Sequence, residues 1–223
     1  MKQILLICAV VALVGCGWKK PLTKEQSEKV IEAAIRKQLK KPTGELTKAD
    51  YEKVETLSLE FNQLTDVKGL ENLTQLTKLN LQGNQLTDVK GLENLTQLTK
   101  LNLRHNKLTS VNVEGLEKLT QLTELELGFN KMTEVKGLEK LTQLKRLSLV
   151  TNQLTELPKG LEKLTQLTEL HLGGNKLTNV KGLEKLDQLK RLYLYFNPAL
   201  TKAQIAELQK ALPKCDIISN PKK

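Results

Sequence analysis

Residues Gln63–Lys78 read QLTDVKGLENLTQLTK, and the same sixteen letters return at Gln85–Lys100. Looser copies follow along the chain, and each copy contains an Asn that closes an LxLxxN pattern. The seven Asn are Asn62, Asn84, Asn106, Asn130, Asn152, Asn175 and Asn197. They lie 22, 22, 24, 22, 23 and 22 residues apart. A repeat of this length predicts a solenoid, because each unit buries its apolar face only by stacking on its neighbours.

One repeat shows how the unit folds. Leu79 and Leu81 flank Asn80, and this alternation predicts a short strand with both leucines facing inward. Gly91 marks a turn on the returning side, where the segment is too short for a long helix and favours 3₁₀ turns. Each closing Asn is expected to bond backbone groups where the strand bends away. We therefore predict an α/β solenoid with a curved parallel sheet on its concave face and short 3₁₀ or irregular turns on its convex face.

The pattern L-x-x-L-x-L-x-x-N-x-L resembles the leucine-rich repeat family, with seven repeats over residues 54–200. The 22-residue form with V-K-G-L-x-x-L in its second half is similar to bacterial internalin-type repeats. Proteins of that type bind host or envelope proteins through the concave face. The resemblance therefore implies a non-enzymatic module that binds another protein.

Atypical segments on both sides of the repeats predict helical caps, which cover the apolar ends of a solenoid. Residues 23–53 form the predicted N-terminal cap, in which Thr23 to Gln26 is a capping-box pattern. Residues 201–223 form the predicted C-terminal cap and tail, with a last short strand or extended segment near Ile217. The apolar stripes of both segments would also suit partner-binding helices.

The first 15 residues resemble a bacterial export signal. The apolar run Ile4–Gly15 has 12 residues, whereas a membrane-spanning helix needs about 20. Leu13-Val14-Gly15-Cys16 resembles a lipobox, which implies cleavage before Cys16, lipidation of Cys16 and a lipidated tether over residues 16–22. It also implies a lipid-anchored protein of the bacterial cell envelope, and Gly17 in place of Asp favours the outer membrane. An ordinary secretory signal is the alternative.

Composition and charge exclude several classes of protein. Leu accounts for 47 of 223 residues and aromatics for 3 %, so Leu must build the core. Charged and apolar fractions of 27 % and 39 % exclude a disordered chain and an integral membrane protein. The net charge is +10, but the repeats contribute only +2, with alternating Lys and Glu columns that predict a self-neutralising convex face. A nucleic-acid groove would need a clustered basic stripe, so we expect no nucleic-acid partner.

The predicted binding residues lie on the concave face, on the outward half of the strands and just before each Asn. Aromatic residues and Arg are enriched at protein interfaces and their energetic centres. The predicted protein-binding residues are Arg104, His105, Glu124, Glu126, Phe129, Arg146, Glu169, His171, Arg191, Tyr193, Tyr195 and Phe196. The alternative for each Phe is simple packing against the neighbouring loop.

Motifs for catalysis, cofactors and metals are missing from the sequence, which has no Gly-rich phosphate loop, CxxC or HExxH. His105 and His171 lie three repeats apart, roughly 14 Å, too far to share a metal. We therefore predict no catalytic residues, no cofactor and no metal site. A second functional hypothesis is an envelope glycan or polyanion binder that uses aromatic rings for sugars and cap lysines for anions.

Overall fold

A computed structural model describes residues 20–109 and 115–220. The predicted signal peptide, Cys16 and the two extra residues of repeat three, around Val111–Val113, lie outside these ranges. The described residues contain one parallel sheet whose eight strands follow chain order. The strands are β1 Thr56–Ser58, β2 Lys78–Asn80, β3 Lys100–Asn102, β4 Glu124–Glu126, β5 Arg146–Ser148, β6 Glu169–His171, β7 Arg191–Tyr193 and β8 Asp216–Ile218. The predicted solenoid is confirmed, and Ile217 lies in an eighth strand.

Leucines at the middle of each strand share one register. Leu79 pairs with Leu57 on one side and with Leu101 on the other, and the series ends where Leu192 pairs with Ile217. Leucines two residues further on, such as Leu81, are also fully buried, so both inward positions predicted from the alternation are confirmed. The buried apolar side chains of the described residues are Leu, Val, Ile, Met and Cys, with no aromatic ring among them.

An Asn ladder runs along the inside of the turn after each strand. Asn106 Oδ1 accepts from the N–H of Leu86, and its Nδ2 donates to the carbonyls of Leu81 and Leu103. The same bonds recur at the other Asn from Asn84 to Asn197, all of which are buried. Asn62 is half-buried and donates to the carbonyl of Glu60 in its own repeat. The predicted ladder is therefore confirmed. Its first member, Asn62, differs because it is half-buried and bonds within its own repeat.

Threonines form a second ladder on the side where the chain enters each strand. Thr99 Oγ1 donates to the carbonyl of Thr77 (3.0 Å), and Thr123 Oγ1 donates to that of Thr99 (3.1 Å). Thr77 and Thr168 make the same bond to the preceding repeat. Both strand ends are therefore tied to the neighbouring repeat by side chains.

The convex side consists of tight turns that begin at glycines with positive φ. Gly91 has φ 105°, and Gly137 has φ 80°. Four repeats continue as 3₁₀ helices: Leu116–Lys118, Leu138–Lys140, Leu161–Lys163 and Leu183–Lys185. Glu93 Oε2 accepts from the N–H of Gly91, and Glu71, Glu117 and Glu184 do the same in their repeats. These carboxylates stabilise the turn by accepting from the Gly N–H. The alternation of Lys and Glu in the sequence did not indicate this role.

Helices flank the repeats on both sides: α1 Lys24–Leu39, α2 Lys48–Tyr51 and α3 Lys202–Ala211. The predicted capping box at Thr23 is present, and Ile31 and Ile35 of α1 are buried against the first repeat. Leu208 of α3 and Cys215 are both buried. Burial raises the pKa of the Cys215 thiol, as does the charge of Asp216. No helix within residues 20–109 and 115–220 is long and apolar enough to cross a bilayer.

Candidate functional site

The concave face displays the first and last residue of every strand in straight columns. From β3 onward the first column alternates in sign: Lys100, Glu124, Arg146, Glu169, Arg191 and Asp216. Neighbouring strands of a sheet lie about 4.8 Å apart, so opposite charges meet directly. Lys100 pairs with Glu124, and Arg146 Nε lies 3.0 Å from Glu126 Oε1. Six of the concave charges, on Lys100, Glu124, Glu126, Arg146, Glu169 and Arg191, are therefore paired within the molecule.

Glu169 is the centre of these ion pairs. Its carboxylate lies 3.3 Å from Arg146 Nη1, 3.0 Å from Arg191 Nη2 and 2.6 Å from His171 Nε2. Only 12 % of its side chain is exposed. Burial raises the pKa of Glu169, but the His171 hydrogen bond and the positive charges of Arg146 and Arg191 outweigh burial and lower it. Glu169 therefore lies beneath the predicted surface and orients the three side chains around it.

Four aromatic side chains follow one another beside Glu169, and we call them the C-terminal cluster: His171, Tyr193, Tyr195 and Phe196. His171 stacks on Tyr193 with ring centroids 4.2 Å apart. Tyr195 meets Tyr193 edge-on at 6.3 Å and Phe196 edge-on at 5.5 Å. Tyr193 and Tyr195 are half-buried, and Phe196 is 68 % exposed. The tyrosines point away from the core as predicted.

Gly173 leaves the space that the Tyr195 ring occupies. A Cβ at this position would lie 2.6 Å from the Tyr195 ring, closer than any side chain tolerates. The sequence pattern did not indicate this role, because a Gly just before a closing Gly-Asn pair is typical of an ordinary turn. The pairing of a Gly with an aromatic residue at the same position of the next repeat is the signal that could have found it.

Arg104, His105 and Phe129 form a second group, the central cluster. His105 stacks on Phe129 at 4.2 Å, and the Arg104 guanidinium lies 4.4 Å from the centre of the Phe129 ring. Partial burial lowers the pKa of His105, as does the charge of Arg104. Phe129 thus packs on the preceding repeat. This packing is the alternative to a binding role that the sequence leaves open for each Phe.

The N-terminal part of the concave face is polar. Asn80 Nδ2 donates to Glu60, and Asn102 Nδ2 donates to Gln82. A shallow depression of about 360 Å³ lies over β1 to β4. Within the described ranges, no group of three or more His, Cys, Asp or Glu could hold a metal ion. The predicted residues thus form two aromatic clusters and a set of ion pairs. Arg146 and Arg191 contact Glu169, and Glu124 and Glu126 contact Lys100 and Arg146.

Comparisons with known proteins agree with this architecture. A family profile described as "Leucine Rich repeats (2 copies)" matches residues 52–94, 74–118, 96–137, 120–163 and 165–210. A search of curated proteins finds no match. The crystal structure of internalin C2 from Listeria monocytogenes is 26 % identical with a TM-score of 0.67, covering 86 % of this chain and 92 % of that one. A Leptospira interrogans leucine-rich repeat protein is 30 % identical with a TM-score of 0.42, covering 74 % of this chain and 55 % of that one. The chain belongs to the leucine-rich repeat family, and its structure is similar to that of an internalin.

Proposed function

We propose that this protein is a non-enzymatic, lipid-anchored protein of the bacterial cell envelope that binds another protein through its concave face. Leucine-rich repeat and internalin-like folds are typically interaction scaffolds without enzymatic activity, and this supports the binding part. The observation that most supports protein binding is the C-terminal cluster. Its rings are positioned by Glu169 and Gly173 while part of their surface stays exposed. Rings that are ordered before binding lose little entropy when a partner docks.

The binding surface is tested by capturing a partner from envelope extract and comparing variants of equal folded stability. We expect Tyr193→Ala/Tyr195→Ala to weaken binding by about 2 kcal/mol or more, roughly thirtyfold. Gly173→Ala should also weaken binding, because it displaces the Tyr195 ring without removing an aromatic side chain. Lys90→Ala, on the exposed convex side, is the control and should bind like the wild type. An equal or larger loss for Lys90→Ala would place the binding surface elsewhere.

The same titrations, repeated at rising salt concentration, separate the proposed function from the polyanion alternative. Screening acts most strongly on exposed charges. Binding through the C-terminal cluster should be weakened by Tyr193→Ala/Tyr195→Ala at every salt concentration, whereas binding of a polyanion by the cap lysines should weaken steeply with salt and be unaffected by this variant.

Lipid anchoring is proposed on the residues Leu13-Val14-Gly15-Cys16. We expect Cys16→Ala to abolish incorporation of labelled fatty acid and to release the protein from the membrane fraction. Cys215→Ala is the matched control and should keep the label. A Cys16→Ala protein that still takes up the label would show that the anchor is not at this residue.

A further inference from the structure

The residue before each closing Asn has a left-handed backbone in all seven repeats. These residues, which we call the strand-end ridge, are Phe61, Gly83, His105, Phe129, Thr151, Gly174 and Phe196, with φ between 52° and 69°. The turn requires this conformation, because the backbone must leave the strand before the Asn side chain can point inward. The chain has three Phe in all, and all three lie on this ridge.

Neither the backbone nor the core explains Phe61 and Phe196. A bulky residue with positive φ is strained, whereas Gly adopts this conformation freely. The fold accepts Gly at positions 83 and 174, so nothing in the turn requires a large side chain. Phe61 and Phe196 are 65 % and 68 % exposed, more than any other large apolar side chain in the described ranges. Strain that is kept at exposed positions points to function.

The ridge rings are also held in place by their neighbours. The Phe61 ring lies over Gly83, where an added Cβ would come within 2.3 Å of it. Phe129 stacks on His105, and Phe196 meets Tyr195 edge-on. The ridge thus presents ordered aromatic surfaces at its start, middle and end. Phe61, Phe129 and Phe196 fall in repeats one, four and seven, so they are separated by roughly 14 Å per step.

The charges beside the ridge indicate what kind of surface would cover it. Lys107, Lys131 and Lys176 directly follow the closing Asn of their repeats, and all three are exposed. Glu60 lies beside Phe61, and it accepts from the Asn80 amide and the Ser58 hydroxyl. A complementary surface would therefore bring apolar side chains to the phenylalanines and carboxylates to the lysines.

We infer that the strand-end ridge is a second contact line for the protein bound by the concave face, and that this partner presents an acidic surface with apolar side chains. The inference rests on the proposed function, because it assigns the ridge and the C-terminal cluster to the same partner. Phe61 extends the site to the first repeat, about 29 Å from Phe196 across six strand spacings.

The first experiment places the photoreactive residue p-benzoylphenylalanine at single positions of the full-length protein in its native cells. We expect positions 61, 129 and 196 to cross-link the same protein as position 193, and position 90 on the convex side to cross-link nothing. Adducts at 193 and 196, which both lie in the C-terminal cluster, but not at 61 and 129 would overturn the inference and leave the proposed function standing. Adducts of the ridge with lipid or with a second copy of the chain would also overturn it. Absence of adducts at every position would contradict both.

The second experiment separates binding from folding with Phe61→Asn/Phe196→Asn. Asn tolerates positive φ better than Phe, so the melting temperature should stay the same or rise by about 2–4 °C. The adduct formed from position 193 should fall at least tenfold. Lys40→Asn is the matched control, because Lys40 is also exposed with φ 52° but caps helix α1. It should leave the adduct unchanged. A fall in melting temperature with full adduct yield would show that the phenylalanines serve the fold.

Discussion

At the scale of single residues, Asn106 shows how one side chain joins two repeats. Its amide bonds the N–H of Leu86 and the carbonyls of Leu81 and Leu103, all away from water. Asn106→Ala would leave these groups unpaired, so we expect the free energy of unfolding to fall by about 1–3 kcal/mol. Thermal unfolding followed by circular dichroism measures the loss. Asn62→Ala is the control, because Asn62 is half-buried at the start of the ladder. A loss as large for Asn62→Ala would contradict the ladder as the cause.

At the scale of elements, the short helix α2 depends on one carboxylate. Asp50 accepts from Lys41 Nζ at 2.7 Å and from the N–H and hydroxyl of Thr47. The Lys41 bond, followed by the two Thr47 bonds, lowers the pKa of Asp50 well below its ordinary value. A lowered carboxylate pKa stabilises the folded state above the unfolded-state pKa, about 3.9, and this contribution is lost as pH falls below it.

We therefore expect Asp50→Asn to be less stable than the wild type at pH 7, and the difference to shrink as pH falls from about 4 toward the lowered pKa. Chemical unfolding of both proteins between pH 7 and pH 2.5 measures the two free energies. Comparing the two proteins at each pH cancels the titration of the other carboxylates they share. A difference that stays constant over this range would show that the Asp50 charge does not stabilise the cap.

At the scale of the whole molecule, stability depends on closed ends, since every repeat is stabilised mainly by its neighbours. Helix α3, strand β8 and the residues between them bury Leu208, Leu212 and Cys215 in the core at the last repeat. Burying one such side chain contributes about 1.5–3 kcal/mol.

Truncation after Leu200 should therefore lower the melting temperature by about 10 °C or more and cause self-association. Calorimetry and light scattering measure the two effects. Truncation after Asn220 keeps both elements and should change neither. A chain ending at Leu200 that melts like the wild type would exclude a capping role.

The sequence by itself determined the repeat, the inward leucines, the Asn ladder and the turns at each Gly. All of these follow from short-range patterns that recur at almost constant spacing, so one unit predicts the others. Only the tertiary structure decided that Glu169 is buried under two arginines and His171, and that Gly173 leaves room for the Tyr195 ring. It also decided that Phe61, Phe129 and Phe196 have strained, positive φ angles. The first two features depend on side-chain contacts between residues about 22 positions apart, and the third depends on the backbone path of the stacked turns, so no local pattern encodes them. Lipidation of Cys16 and the binding role of the concave residues remain predictions.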